Sequence, residues 1–363
     1  MDTLRDIVPL GEWGIFGDKR PAIIAGPCSA ESEEQLMASA RAVKAAGIDV
    51  FRAGIWKPRT RIGCFEGVGT EGFAWMRRVQ KELGLKVCTE VASHSHVEEC
   101  LAAGVDMLWI GARTTVNPFL VQEIADALRG HDIPVFVKNP ASSDLGLWIG
   151  AIERLYEAGV RKIGVIHRGF SILDERRYRN APLWQLAIEF RSRFPQIPFL
   201  CDPSHMGGKR EYVAEIAQRA MNMGLDGLMI EVHCGPSCAL SDADQQLGPQ
   251  EIIDLMKGLQ VRNNDSQDAS YLAQIEELRS QIDSYDNAIM SALAGRMDVS
   301  RQMGEFKRRG NIAILQTSRW EDVMSRLREL ADDYGLDEEF VAQLYSIIHQ
   351  ASVNEQNLII NNV

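Results

Sequence analysis

Two sets of side chains could do chemistry if the fold brings them together. The first is cationic: Arg52 with Lys57, Arg113, Lys138 and Arg168, each at or just beyond the end of a short apolar run. Cations gathered at one place repel one another unless a polyanion fills the space between them, and phosphate and carboxylate are the groups that Arg and Lys hold best. The second set is Cys28, His205, Glu231 and Asp242: a thiolate, an imidazole and two carboxylates. That mixture suits Mn²⁺, Fe²⁺, Co²⁺ or Zn²⁺ better than Mg²⁺ or Ca²⁺. Taken singly, Cys28 reads as a small buried hydrophobe and His205 as a loop histidine, and their wide spacing carries little weight alone.

Such groups need a frame. Residues 21–256 alternate short β-rich runs with longer amphipathic ones. The runs are PAIIAGPC (21–28), DVFRAGIW (49–56), KVCTEV (86–91), DMLWIGA (106–112), PVFVKN (134–139), KIGVIHR (162–168), FLCDPSH (199–205) and GLMIEVHC (227–234). Each is nearly continuous in apolar residues, as parallel strands buried on both faces should be. A helix-period stretch follows each, most clearly at 31–47, 116–129 and 211–223. Eight βα units over about 240 residues is the size of a TIM barrel. A doubly wound open sheet is the alternative. The count of eight, and a polar residue ending every run (Glu90 and Asp202 among them), favour an α/β class (β/α)8 barrel, whose active groups sit at the C-terminal strand ends.

The texture changes near 258–270, where GLQVRNNDSQDAS reads as a linker. No strand pattern follows it. One long helical pattern covers 271–309, with two more helices near 317–334 and 337–360. The expected division is a barrel over 1–258, a linker over 259–270 and an all-α domain over 271–363.

The 363 residues, 45% hydrophobic and 25% charged, fit an ordinary globular protein of two domains. A net charge of -11 argues against nucleic acid or an anionic membrane as partner, and requires positive charge to be concentrated in the sites. No apolar run approaches the roughly 20 residues that span a bilayer, and MDTLRDIVPLGEW does not read as a signal peptide. Both point to the cytoplasm. The seven cysteines (28, 64, 88, 100, 201, 234 and 238) are odd in number and irregularly spaced, as expected of free thiols in a reducing compartment. His94-Ser-His96 has the look of a metal pair but reads as the opening of the helix after the third strand, and Cys234 and Cys238 read as loop thiols.

IIAGPCS (23–29), KPRT (57–60), GAR (111–113), VKNP (137–140), HRG (167–169), DPSH (202–205) and EVH…LSD (231–242) together resemble 3-deoxy-D-arabino-heptulosonate 7-phosphate synthase, in its short-barrel type I subgroup, over about residues 20–258. KPRT separates this family from the allied octulosonate enzymes, which resemble KANR there. The resemblance implies that Cys28, His205, Glu231 and Asp242 bind a divalent transition metal. It implies that Arg52, Lys57, Arg113, Lys138 and Arg168 hold phosphoenolpyruvate, with Lys57 and Lys138 catalytic, and that Arg59 and Thr60 meet erythrose 4-phosphate. The implied reaction polarises the aldehyde, lets C3 of the enolpyruvate attack it, adds water at C2 and releases phosphate by C–O cleavage. Arg61 stands where the family commonly has Ser.

On the long helix, Lys307 follows Arg296 by 11 residues, about 20° around the axis and roughly 16 Å along it, so the two share a face. Arg279 precedes Arg296 by 17 residues, about 100° off that face and roughly 25 Å away, too far to serve the same small ligand within one chain. A helix of about 39 residues is also too long to bury its apolar stripe alone. Both features suggest an antiparallel helix from a second subunit, hence a homodimer through the helical domain, or a larger assembly built on it. On spacing alone, a solvated coiled-coil arm is the favoured reading.

LRSQID…LAGR…EFK…R…LYSIIHQASVNEQ, over about 271–360, resembles the all-helical chorismate mutases. The resemblance implies that Arg279 of a partner, Arg296 and Arg319 bind the carboxylates of chorismate. Lys307 and Gln356 would stabilise charge on its ether oxygen, with Ser352 one turn before Gln356 on the same face. That rearrangement to prephenate needs no cofactor, only a compact pose and an electrostatic clamp. Gln316 stands where the family often has Asp, and Trp320 where it often has Glu. The expected protein is therefore a bifunctional shikimate-pathway enzyme, with prephenate acting back on the barrel through the helical domain. The rival readings are a helical domain that only binds ligand and dimerises, and a synthase that uses another aldose phosphate.

Overall fold

The computed structural model describes the chain apart from residues 1–3, 17–19, 58–62, 64, 174, 176, 263–267, 316 and 362–363, and the side chains of 269 and 317–319. Eight strands form inside the eight apolar runs: β1 Ala22–Gly26, β2 Val50–Arg52, β3 Lys86–Val91, β4 Met107–Ile110, β5 Val135–Lys138, β6 Ile163–His167, β7 Phe199–Cys201 and β8 Gly227–Glu231. They close into a parallel barrel in chain order, β1 pairing with both β2 and β8. Every residue of β1, β2, β4, β5, β6, β7 and β8 is buried, which is why these runs show no alternation.

The outer helices are α1 Glu33–Ala45, α2 Gly72–Leu83, α3 His94–Ala103, α4 Pro118–Ala127, α5 Leu145–Glu157, α6 Trp184–Arg193, α7 Val213–Asn222 and α8 Pro249–Gly258. Several start on side-chain caps at the mouth: Ser32 accepts from Gln35 N, Ser93 from His96 N, and Asn117 from Phe119 N and Leu120 N. Inside the barrel, Ile24, Val50, Trp109, Phe136, Leu200 and Met229 pack together with Trp13 and Phe16 from the segment ahead of β1. Trp13 lies 5.0 Å from Phe136, ring to ring. The interior is thus filled with side chains, which leaves the strand ends as the place for chemistry.

The chain divides into two compact units, Met1–Asn264 and Asp265–Val363. The second consists of α9 Ala269–Gly310, α10 Thr317–Asp333 and α11 Glu338–Asn361. The 42 residues of α9 span about 63 Å. Among the described residues, the buried apolar cluster of this unit is Leu327, Ala331 and Val341. Meanwhile Leu278, Ile282, Tyr285 and Ile289, spaced four, three and four residues apart on α9, are all exposed. Among the described residues, no helix is long and apolar enough to cross a membrane.

Candidate active sites

β1 and β8 are neighbours, so Cys28 and Glu231, 203 residues apart in sequence (231 − 28), meet at the barrel mouth. On the other side of β1, Gly26 lets β2 come close: at φ 150° its missing Cβ would lie 2.0 Å from the Arg52 carbonyl oxygen. Donor atoms of Cys28, Glu231 and Asp242 lie within 4.8 Å of one another. The Cys28 thiol donates to Asp242 Oδ2 at 3.2 Å. Burial, then the Glu231 carboxylate, push that thiol up to about 12, a balance that a divalent cation in the cluster would reverse.

His205 stands beside these three, its Nε2 3.7 Å from Glu231 Oε1 and its Nδ1 2.8 Å from Asp202 Oδ2. A carboxylate behind one ring nitrogen, with the other facing the cluster, is the arrangement that orients metal-binding histidines. Asp202 does more than this. It caps the short helix Pro203–Gly207 by accepting from His205 N at 3.0 Å, and it meets Lys138 Nζ at 2.6 Å. Burial opposes its ionisation, yet His205, Lys138 and Arg52 hold its carboxyl well below the usual range. The donor set and this second layer fit a divalent transition ion.

Next to the cluster opens a cavity of about 280 Å³ lined by Lys57, Arg113, Lys138, Arg168 and Arg179, with Glu90, Asn180, His205 and Asp242 among its other walls. Lys57 Nζ reaches the Cys28 carbonyl at 3.0 Å. Arg168 donates to Asn180 Oδ1 at 2.6 Å, and Asn139 fixes its backbone by accepting from Arg168 N at 2.7 Å. Burial lowers the Lys138 ammonium from its ordinary value despite Asp202, and lowers Arg168 to about 10, so Arg168 remains a cation at neutral pH. Arg52 lies deeper. It is 1% exposed and donates from Nη2 to Glu231 Oε1 at 3.1 Å, while its Nε and Nη1 have no hydrogen-bond partner among the described residues. Two buried guanidinium nitrogens left open beside a cation-lined hollow are what an anionic guest would satisfy. A larger hollow of about 350 Å³ beside Arg20, Arg191 and Asp226 gathers no such set, since Arg191 is tied to Asp226 at 2.9 Å.

Four of the five expected cations therefore line one cavity and the fifth sits beneath it. Sequence reasoning missed Arg179, which donates to Asp242 Oδ1 at 3.0 Å and Gln245 Oε1 at 2.7 Å, and it missed Gln245, which donates to Glu231 Oε2 at 2.6 Å. Arg59, Thr60 and Arg61 lie outside the described residues. His94 and His96 do open α3. The His96 ring stacks on Trp56, centroids 3.8 Å apart, next to Lys57.

The helical unit holds its own cavity, about 300 Å³, lined by Arg296, Lys307, Arg326, Ser352 and Gln356 with Trp320 and His349. Arg296 Nη1 donates to Ser352 Oγ, and Lys307 Nζ to the Ile314 carbonyl at 2.5 Å. Gln356 is buried, and its Oε1 has no partner among the described residues. Trp320 stacks on His349 at 4.3 Å; burial, then Arg296 and Lys307, lower the His349 imidazole, so it is neutral at pH 7. Arg279 is exposed, 3.6 Å from Glu276, and is not among the residues lining this cavity. The side chain of Arg319 and residue Gln316 lie outside the described residues. Arg326 is a lining cation that sequence reasoning missed.

The (β/α)8 barrel gathers cations at its mouth beside a thiol–carboxylate cluster, the charge that small anions require, and the helical unit adds a second cation-lined cavity. The chain belongs to the DAHP synthetase I family, whose model matches residues 11–266, and residues 278–357 match chorismate mutase type II. It thus joins a synthase domain and a mutase domain, a transferase and an isomerase of the shikimate pathway. The chain is 32% identical over 256 residues to phospho-2-dehydro-3-deoxyheptonate aldolase of Thermotoga maritima, covering 70% of this chain and 73% of that protein. The crystal structure of a Thermotoga maritima aldolase of that name (DAHP synthase) superposes with a TM-score of 0.62 at 30% identity, over 69% of this chain and 71% of the other. The 2-dehydro-3-deoxyphosphooctonate aldolase of Vesicomyosocius okutanii is 28% identical over 259 residues, 66% of this chain and 89% of that protein.

Proposed function

We propose that the barrel condenses phosphoenolpyruvate with erythrose 4-phosphate to 3-deoxy-D-arabino-heptulosonate 7-phosphate, and that the helical unit rearranges chorismate to prephenate. The observation that carries the first part is the cavity where Lys57, Arg113, Lys138 and Arg168 converge beside Cys28, Glu231 and Asp242. Phosphoenolpyruvate carries a phosphate and a carboxylate. Arg168, pinned by Asn139 and Asn180, and Arg52, with two open guanidinium nitrogens, are rigid donors for it. Lys138 holds a proton at Nζ against Asp202, within the cavity wall, where it can be handed to the oxyanion that forms when C3 bonds to the aldehyde carbon. Water then adds at C2, the bond between C2 and the oxygen that bears the phosphorus breaks, and phosphate leaves with that oxygen as C2 becomes the ketone. A divalent transition ion held by Cys28, His205, Glu231 and Asp242 would polarise the aldehyde as a Lewis acid.

Carbon count separates the two synthase readings. A seven-carbon product needs a four-carbon aldose phosphate beside the three carbons of phosphoenolpyruvate, and an eight-carbon product needs a five-carbon one. The KPRT element at 57–60 favours the former. Phosphoenolpyruvate consumption is expected with erythrose 4-phosphate, and a five-carbon aldose phosphate in competition should not be consumed. Equal consumption of the five-carbon sugar would overturn the assignment.

For the helical unit, support comes from Arg296, Lys307, Ser352 and Gln356 around one cavity, with cations positioned for carboxylates and Gln356 for a polar atom. A second copy of the chain on the exposed stripe Leu278, Ile282, Tyr285 and Ile289 would bring its Arg279 as the remaining carboxylate ligand and form a homodimer. The same ligand site makes the helical domain a sensor for the barrel, with prephenate as the effector. Adding prephenate to the synthase assay should inhibit the intact protein and leave a form truncated after Gly258 uninhibited, since a ligand shifts an equilibrium only by its differential affinity. Equal inhibition of both forms would place the effector on the barrel instead.

A further inference from the structure

Asp242 reaches the cluster from a loop whose local backbone is unfavourable. It has φ 47°, a left-handed conformation that only glycine adopts freely, and such a residue persists where its surroundings over-determine it. The determinant is a short stretch just after Cys28. Glu31, its side chain nearly buried, accepts from Leu240 N at 2.9 Å through Oε1, while its Oε2 lies 3.4 Å from His233 Nε2. His233 Nδ1 accepts from Gly235 N at 2.9 Å, which leaves Nε2, the nitrogen nearest Glu31, as the ring's N–H in the neutral imidazole. Alongside, Ser29 Oγ and Ser241 Oγ are 2.5 Å apart, and Gln246 Oε1 accepts from Cys28 N at 2.9 Å. Glu31 is therefore the carboxylate that grips both arms of the loop between Glu231 and Asp242. It is not part of the cluster itself, whose converging residues are Cys28, Glu231 and Asp242.

We infer that Glu31 is a positioning residue for the metal site: by tying Leu240 N and His233 it holds the Asp242 carboxylate where it meets Cys28 and Glu231. This rests on the metal reading proposed above. The test is titration of the metal-free, full-length protein with Mn²⁺, following the loss of the free-ion electron paramagnetic resonance signal. Glu31→Asp keeps the charge but is one methylene too short to reach Leu240 N. It is expected to weaken Mn²⁺ binding about 10–100-fold, as does loss of other groups that orient metal ligands, with thermal unfolding of the metal-free protein little changed. Wild-type affinity in Glu31→Asp would show that charge alone matters and overturn the inference. Should the Glu31 variants not fold, Leu240→Pro removes the N–H at an exposed position and leaves Glu31 intact. It should weaken binding likewise, and wild-type affinity there would also overturn the inference. Wild-type protein that takes up no Mn²⁺ would instead overturn the metal reading itself.

Discussion

Cys28→Ala is expected to lose at least about a thousandfold in phosphoenolpyruvate turnover, because removing a Lewis acid forfeits several kcal/mol of transition-state stabilisation and about 4 kcal/mol is three powers of ten. A chelator should do the same to the wild-type protein, and Mn²⁺ should restore the wild type only. Cys28 is fully buried and, among the described residues, supplies the sulfur of the cluster. Alanine removes a single heavy atom, so unfolding of the metal-free protein should shift by no more than about 1 kcal/mol. Activity and stability are therefore expected to separate. Full turnover by metal-free Cys28→Ala would end the assignment of this cluster as the metal site.

In the second unit, Arg296→Ala should lower the chorismate mutase rate by about 10²–10³, the usual cost of deleting one preorganised donor at developing charge. Arg296 is pre-set by Ser352 Oγ and the Ile348 carbonyl, so its loss removes a fixed cation and leaves Lys307 and Arg326 in the wall. Synthase turnover should persist, because the barrel cavity is lined by its own cations. Unchanged mutase kinetics in the variant would exclude this cavity. No mutase activity in the wild type, with chorismate still bound, would favour the reading in which the helical unit only binds ligand, and the Trp320–His349 stack would then be the feature to alter first.

Much of the barrel was legible because buried parallel strands leave an unbroken apolar signal and barrel geometry gathers the residues just beyond each strand at one mouth. Lys57, Arg113, Lys138 and Arg168 converge for that reason alone. Arg179 was not legible. It sits between β6 and α6 in a segment with no period, and the path of that segment, not its composition, brings the guanidinium to Asp242. Asp202 was visible as a strand-end residue, but its three-way tie to Lys138, the His205 ring and the His205 amide depends on a short helix, Pro203–Gly207, too brief to show a period. In the helical unit, helix spacing put Arg296 and Lys307 on one face, and both line the cavity. The Trp320–His349 contact joins two helices whose relative rotation no single-helix pattern contains.

The pairing of β1 with β8 also sets a timetable. Cys28 is made early, yet Asp242 follows it by 214 residues, a delay on the order of 10–40 s at ordinary rates of chain elongation. Throughout that interval the nascent chain carries a thiol without its carboxylates, so the cluster is a property of the finished barrel and not of any shorter intermediate. Any metal capture here would wait for the segment that follows the last strand and carries Asp242. An ion seated across the seam would act as a clasp on the first and last strands of the barrel, favouring the closed barrel over an open sheet with two bare edges.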